Sequence, residues 1–355
     1  MLHFFWCGYT LTQDSYNLYQ IANLEIAKWA EYYLSKKTAF HQSSWLAGKV
    51  TENPQDILIG HPTWYNQFQS LPPLLRNWVR DNAMDPKQEC HPNTYILMPW
   101  VPHFPPEWTH NMPFWQQQLL SARKIFGLGG EIWLEKTFEK QDDSIQDQVR
   151  DKVVHCNMGV AARNLPIKKE KFNQIGQRQL LHMSNLASYK GFGNTCASIQ
   201  GLDTLLHVAS FAIQADVGLL DVKINGENFV FNFMGDIDNN DPECNQWIVD
   251  NCDFYIHTAT MDAQATTILE NGARGLIPLV TPESGFACPH AIYLTQSPEE
   301  NRQIIEWALN LPESELLKRS HLIREYIERE HSWENIYNRI WDGIMADLAS
   351  VRTNN

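Results

Sequence analysis

The sequence contains few cysteines, and they are not spaced as disulfide-bonded or zinc-binding cysteines are. There are 7 cysteines among 355 residues, an odd number, and no two of them form a Cys-x-x-Cys pair. Small secreted domains and structural zinc sites depend on closely spaced cysteine pairs. We therefore expect a protein of a reducing compartment that has neither a disulfide framework nor a zinc site.

Long hydrophobic runs are missing as well. The largely apolar start, residues 1–6, is too short for the hydrophobic part of a signal peptide, and no basic residues precede it. No later apolar run approaches the roughly 18 residues that a membrane-spanning helix requires. These absences predict a soluble, cytoplasmic protein.

Positive charge is scarce too. The chain has 28 Lys and Arg residues against 41 Asp and Glu residues, which gives a net charge of −13. Such a charge repels a phosphate backbone, so we expect no nucleic-acid partner. The only local basic cluster comprises Lys168, Lys169, Lys171 and Arg178. This cluster could touch anionic lipid, which would place the protein peripherally on the inner face of the membrane.

Short apolar runs alternate with amphipathic, helix-like segments throughout the chain, which is typical of parallel sheets flanked by helices. A length of 355 residues exceeds what one hydrophobic core usually supports and predicts two domains. Strands are predicted at residues 2–7, 56–60, 95–98, 131–134 and 153–160, and in the second half at 179–183, 205–208, 229–233, 254–256 and 277–280. We therefore predict an α/β protein with two Rossmann-like domains and a cleft between them.

The basic cluster and Pro166 mark the predicted domain boundary. We expect an N-terminal domain over residues 1–164 and a C-terminal domain over residues 165–334, while a last helix at about 335–355 could pack back on the first domain. Ser297, followed by a proline and two glutamates, predicts the start of one late helix. Ser332 predicts the start of the last one.

Two acidic residues follow the predicted strand at 254–256, where open α/β proteins bind ligands. Asp262 and Glu270 are eight residues apart, which corresponds to about 12 Å along the axis if the segment is wholly helical. The backbone amides of residues 263–266 would then be free to bind sugar hydroxyls or a phosphate. This segment is predicted to hold two parts of one long ligand.

Three segments, in the right order, resemble retaining glycosyltransferase family 4, whose members have the two-domain GT-B fold. Asp262, Glu270 and residues 271–280 resemble the E-x7-E motif of that family and the strand that follows it. Residues 182–191 resemble its diphosphate-binding segment, and residues 331–336 resemble its closing Ser-Trp-Glu segment. The resemblance is specific only in the second half of the chain, because the first half matches simply as a Rossmann pattern.

The resemblance implies a glycosyltransferase that moves a sugar from a nucleotide-sugar donor to a carbohydrate or lipid-linked acceptor. Transfer would retain the anomeric configuration and require neither metal nor cofactor. The residues with implied catalytic roles are His103, Lys190 and Asp262, and those with implied donor-binding roles are Gly8, Asn185, Lys190, Asp262, Ala265, Thr266 and Glu270.

In that family the residue at the position of Lys190 neutralises the donor diphosphate. The residue at the position of Glu270 holds the ribose, and the one at the position of Asp262 holds the transferred sugar. This sequence departs from the family pattern at two positions, since Asp262 replaces a glutamate and Asn185 replaces an arginine. His61 is an alternative to His103 for the sugar-contacting histidine. A sugar-nucleotide 2-epimerase and a non-catalytic sugar-nucleotide-binding protein remain alternative functions.

Overall fold

The computed structural model describes residues 1–5, 21–43, 53–60, 91–98, 119–138, 143–162, 165–224, 226–238 and 241–353. The chain divides into two compact units. Unit 1 comprises Met1–Gly159 together with Trp333–Asn355, and unit 2 comprises Val160–Ser332. The assignment of an acceptor-binding role to the first domain and a donor-binding role to the second stays a prediction.

Unit 1 contains a six-stranded sheet with the order β2-β1-β3-β4-β5-β6, in which all neighbours are parallel. The strands are β1 (Leu2–Phe5), β2 (Phe40–Ser43), β3 (Ile57–Gly60), β4 (Thr94–Met98), β5 (Ile125–Gly127) and β6 (Val153–His155). The helices described in this unit are α1 (Ile21–Leu34), α2 (Glu131–Phe138), α3 (Asp143–Arg150) and, from the C-terminal segment, α9 (Trp333–Thr353).

The C-terminal helix α9 is an integral part of unit 1. The Tyr337 hydroxyl donates a hydrogen bond to the Ile26 carbonyl at 2.6 Å, inside the core. Asp347 accepts hydrogen bonds from Tyr95 at 2.8 Å and from Arg123 at 2.5 Å. The chain thus returns to the first sheet after completing the second.

The strand predicted at residues 131–134 is wrong, because these residues begin helix α2. The true strand, β5, ends at Gly127. A Cβ at Gly127 would lie 2.7 Å from the end of the Leu134 side chain, so helix α2 packs closely on the end of β5. Three apolar residues in a row do not distinguish a short strand from the first turn of a buried helix.

Unit 2 contains a seven-stranded sheet with the order β13-β12-β11-β7-β8-β10-β9. Its strands are β7 (Leu180–Met183), β8 (Leu206–Ala209), β9 (Gly218–Ile224), β10 (Glu227–Gly235), β11 (Phe254–His257), β12 (Ile277–Val280) and β13 (Ile292–Tyr293). Its helices are α4 (Phe192–Ile199), α5 (Pro242–Asn251), α6 (Thr266–Arg274), α7 (Pro298–Leu309) and α8 (Glu313–Glu330). Only β9 runs antiparallel to its neighbour, as part of a hairpin with β10. The predicted α/β class with two Rossmann-like sheets is confirmed.

The basic cluster at the start of unit 2 has a largely structural role. Lys169 is buried, and its ammonium lies 3.1 Å from Asp253 and donates to the Val249 carbonyl. Arg178 is buried as well and donates to the Leu309 carbonyl at 2.8 Å. Two of the four cluster residues therefore cannot reach a lipid surface. In the part of the chain that the structure describes, no helix is both long and apolar enough to span a bilayer.

Candidate functional site

The carboxyl ends of three neighbouring strands in unit 2 bring two of the predicted site residues, Lys190 and Asp262, together. Strands β7, β11 and β12 are adjacent and parallel, so the segments that follow them lie at one edge of the sheet. Lys190 ends a 3₁₀ turn, Ser188–Lys190, after β7. Asp262 lies in the loop between β11 and α6.

Direct hydrogen bonds join the segment of Lys190 to the loop of Asp262. The Thr258 hydroxyl donates to the Gly191 carbonyl at 2.7 Å, and the Thr260 amide donates to the Tyr189 carbonyl at 2.9 Å. Gly191 has a φ of +74°, and a Cβ there would lie 1.9 Å from the Thr258 carbonyl oxygen. Only glycine fits this approach. The backbone beneath Lys190 is therefore fixed relative to Asp262.

Asp262 is the centre of the cluster. The Lys190 ammonium lies 2.6 Å from Asp262 Oδ2. His257 Nε2 donates to the same oxygen at 2.8 Å, and the Ala263 amide donates to Oδ1 at 2.8 Å. The Asp262 residue is only 6% exposed, whereas the Lys190 side chain is 15% exposed. The lysine is thus the member of the pair that is more accessible to a ligand.

The cluster favours an ionised Asp262 and a neutral His257. Burial alone would raise the pKa of Asp262, but the Lys190 ammonium and the hydrogen bond from His257 lower it to about 2. Burial lowers the pKa of His257, and its hydrogen bond to Asp262 only partly opposes that effect. At neutral pH the carboxylate is therefore charged, and the neutral imidazole carries its proton on Nε2.

A second buried histidine, His182 on β7, packs beside the first. The two imidazole rings are stacked with their centroids 5.9 Å apart. His182 Nδ1 donates to the Ile256 carbonyl at 3.0 Å, and the Ser184 hydroxyl donates to Nε2 at 2.9 Å. Burial and the neighbouring His257 lower the pKa of His182 to about 3, so this ring is neutral too.

Helix α6 begins later than the predicted wholly helical segment. Its first residue is Thr266, after Ala265 at the N-cap position, so Asp262 precedes the helix while Glu270 lies in its second turn. The axial spacing of about 12 Å between Asp262 and Glu270, which assumed a wholly helical segment, therefore does not apply. The Ala263 amide is not free, because it donates to the Asp262 carboxylate. Of the backbone amides predicted to bind a ligand, those of Ala265 and Thr266 lie at the start of the helix.

The remaining predicted residues make no contact with Asp262 that the structure describes. Asn185 is in the segment after β7, where its side-chain oxygen accepts a hydrogen bond from the Ala187 amide at 3.2 Å and shapes the turn. Gly8, His103 and the alternative His61 lie outside the described residues. Within the described ranges, no group of three or more His, Cys, Asp or Glu side chains is arranged to hold a metal ion.

The two buried histidines were not predicted as site residues. His257 is the last residue of β11 and precedes Asp262 by five residues, and His182 occupies a similar place on the neighbouring strand. Polar residues at the carboxyl ends of adjacent buried strands would have been the signal for both.

Comparison with known proteins shows likeness at the level of structure. No protein-family model matches the sequence, and no curated protein matches it. The UDP-forming α,α-trehalose-phosphate synthase of Burkholderia xenovorans has a TM-score of 0.54 and 13% identity over 93% of this chain and 80% of its own. WaaG, a glycosyltransferase involved in lipopolysaccharide biosynthesis, has a TM-score of 0.55 and 13% identity over 97% of this chain and 99% of its own. HepE of Anabaena, solved with UDP and glucose, has a TM-score of 0.54 and 11% identity over 98% of this chain and 100% of its own. The chain therefore has the GT-B fold of these glycosyltransferases.

Proposed function

We propose that this protein is a glycosyltransferase that moves a sugar from a nucleotide-sugar donor to a carbohydrate or lipid-linked acceptor. The observation that carries the proposal is the ion pair between Lys190 and Asp262. These residues are 72 positions apart in the sequence, yet their charged groups lie 2.6 Å apart at the carboxyl ends of the strands. The family resemblance assigns the two positions to adjacent parts of one donor, the diphosphate and the sugar.

Lys190 supports the departure of the nucleoside diphosphate. Negative charge develops on the leaving phosphate in the transition state, and a fixed cation stabilises that charge. In the resting protein Asp262 holds the ammonium near this position. When the donor binds, its phosphate competes for the same ammonium, which is the more exposed member of the pair.

Asp262 can accept a hydrogen bond from a sugar hydroxyl. A carboxylate offers about four acceptor positions. Lys190 and His257 occupy two of them on Oδ2, and the Ala263 amide occupies one on Oδ1. One position on Oδ1 therefore suits a hydroxyl of the transferred sugar. The shorter aspartate side chain reaches less far than the glutamate of the family, so we infer that the sugar binds closer to β11.

Glu270 would hold the nucleotide ribose, and the Ala265 and Thr266 amides would bind the phosphate or sugar at the start of α6. Asn185 would contribute a neutral contact where the family has an arginine. Gly8 would approach the donor and His103 would contact the transferred sugar from the N-terminal domain. That domain would bind the acceptor, as it does in the family.

The proposed reaction retains the anomeric configuration. The sugar leaves its nucleotide while the acceptor hydroxyl attacks the same face, and the departing phosphate oxygen takes the hydroxyl proton. Neither a metal ion nor a cofactor takes part. We place the reaction in the cytoplasm, and a contact with the inner face of the membrane would bring the enzyme to a lipid-linked acceptor.

UDP-glucose is the first donor to test, because HepE was solved with UDP and glucose and the trehalose-phosphate synthase is UDP-forming. The assay incubates the protein with UDP-, GDP- and ADP-sugars, each with carbohydrate acceptors and with water as the only acceptor, and measures nucleotide release, with Lys190→Met as the control for the site. Release that Lys190→Met abolishes supports the proposal, and NMR of the glycoside formed with an acceptor reports its configuration. Formation of an epimeric sugar without any acceptor would indicate a 2-epimerase instead. No nucleotide release from any donor would leave only a binding function.

A further inference from the structure

His257 differs from an ordinary core histidine. It is the last residue of β11, fully buried, and its ring packs against the rings of His182 and Tyr255. Its Nε2 donates to Asp262 Oδ2 at 2.8 Å. Its Nδ1 is buried and has no hydrogen-bond partner among the residues that the structure describes. A leucine would fill this space without burying an unsatisfied nitrogen, so the Nε2 contact is what distinguishes the histidine.

Two donors of different charge converge on one carboxylate oxygen. Lys190 approaches Asp262 Oδ2 at 2.6 Å and His257 approaches it at 2.8 Å. The ammonium is a cation on a flexible side chain, and a phosphate can attract it away. The imidazole belongs to a buried strand, is neutral, and has little attraction for a phosphate. The two donors therefore respond differently when an anionic ligand arrives.

We propose that His257 is a positioning residue that keeps Asp262 ionised and oriented while Lys190 moves to the donor phosphate. The inference rests on the proposed function, because it requires a donor that draws Lys190 away. Once the ammonium has moved, the hydrogen bonds from His257 and from the Ala263 amide are what still hold the carboxylate. The carboxylate then remains fixed as an acceptor for the sugar hydroxyl.

The surroundings of Asp262 make this support necessary. Burial favours the protonated acid, and Lys190 is the main opposing charge. Among the described residues, His182 from β7 interacts with His257 and Lys190, and Tyr255 from β11 interacts with Asp262 and with Glu270 on α6. His182 and Tyr255 are neutral at pH 7, so neither can replace the positive charge of Lys190. Once the phosphate has engaged Lys190, the hydrogen bond that His257 donates is the main side-chain interaction that still favours the ionised form of Asp262.

The test compares His257→Leu, which removes the donor, with His257→Gln, which restores an N–H. UDP release from saturating UDP-glucose, with water as the acceptor of the glucosyl group, is measured from about pH 3 to about pH 8, a range that starts below the ordinary carboxyl pKa. In His257→Leu the acid limb of kcat should move up by about one pH unit or more, because the carboxylate protonates more readily. In His257→Gln the limb should return to within about half a unit of the wild type. The KM for UDP-glucose should change less than kcat.

A matched control is His207→Leu, which replaces another buried histidine in the same sheet. His207 bonds with Gln179 and Asn232 and has no contact with Asp262. The His207→Leu variant should lower the stability of the protein about as much as His257→Leu does, without moving the acid limb of kcat. An acid limb that is the same in wild type and His257→Leu, or that His207→Leu moves equally, would overturn the proposal.

A measurement on the wild type separates this inference from the proposed function. ¹⁵N NMR of histidine-labelled protein, assigned with His257→Gln, reports which ring nitrogen carries the proton without any turnover. A neutral ring protonated on Nε2 between pH 6 and pH 8 is expected, since roughly this range brackets the ordinary histidine pKa. A proton on Nδ1 would refute the positioning role even if the enzyme transfers sugar. Conversely, the expected tautomer without nucleotide release would count against the proposed function and not against the hydrogen bond.

Discussion

Replacement of Lys190 by methionine should impair both stability and function, and the structure separates the two effects. Methionine keeps most of the side-chain length and removes the charge. Asp262 would then remain buried without its cation, supported by His257 and the Ala263 amide. Breaking a buried ion pair by removing one partner is costly because the remaining charge stays desolvated.

The magnitude follows from the environment of Asp262. The fall of its pKa from the ordinary 3.8 to about 2 corresponds to about 2 kcal/mol in favour of the ionised form in the folded protein. This contribution is present above the pKa of the unfolded chain and is lost as the pH falls towards 2. Loss of Lys190 removes the largest favourable interaction and leaves the burial penalty. We expect Lys190→Met to lower the free energy of unfolding by about 3 kcal/mol at pH 7.

Urea denaturation measures this change, and the double variant Lys190→Met/Asp262→Asn provides the decisive comparison. Once the carboxylate is neutral, loss of the ammonium leaves no uncompensated charge. The double variant should therefore be about 2 kcal/mol more stable than the two single variants predict by addition. It should nevertheless release no UDP from UDP-glucose. If the two single effects add to within about 0.5 kcal/mol, the ion pair does not stabilise the folded protein and the reasoning is refuted.

Three further predictions concern the neighbours of this pair. Gly191→Ala should lower the free energy of unfolding by at least about 2 kcal/mol because φ is positive and the approach is too close for a side chain, whereas Gly193→Ala, with open space around it, should not. Urea denaturation of both variants checks this, and equal stability would contradict it. Lys169→Met breaks the buried ion pair with Asp253 and should cost about 3 kcal/mol of stability while leaving the KM for UDP-glucose unchanged in the protein that remains folded. Glu270→Gln should weaken UDP binding about tenfold in calorimetry, since one charge-assisted hydrogen bond to the ribose is lost; unchanged affinity would remove Glu270 from the site.

The order of elements in unit 2 was largely predictable from sequence. Strands β7, β8, β10, β11 and β12 are short apolar runs bounded by turn-forming residues, and each was predicted within a few residues. Strand β9 was missed because it is not an apolar run like the other strands: exposed residues such as Asp221 and Lys223 alternate with less exposed ones. This period of two was the signal that could have found it. Strand β13 has two residues, too few for any periodicity.

The site was only partly predictable. Asp262 and Glu270 could be found because they lie within one short motif. The contact between Lys190 and Asp262 depends on the order of strands in the sheet, which local sequence patterns do not encode. A single histidine in an apolar run, such as His257, resembles a core residue until the structure places it beside a carboxylate. The strand predicted at residues 131–134 was wrong because a three-residue apolar run has no distinguishing period.

The most direct test of the central claim is calorimetric titration of the wild type and Lys190→Met with UDP-glucose, repeated with GDP- and ADP-sugars. We expect saturable binding of one nucleotide sugar to the wild type and at least about tenfold weaker binding to Lys190→Met, because the diphosphate loses a charge-assisted contact. Thermal denaturation confirms that the variant is folded at the temperature of the titration. Equal affinity of the two proteins, or no binding of any nucleotide sugar to the wild type, would contradict the assignment of this cluster as the donor site.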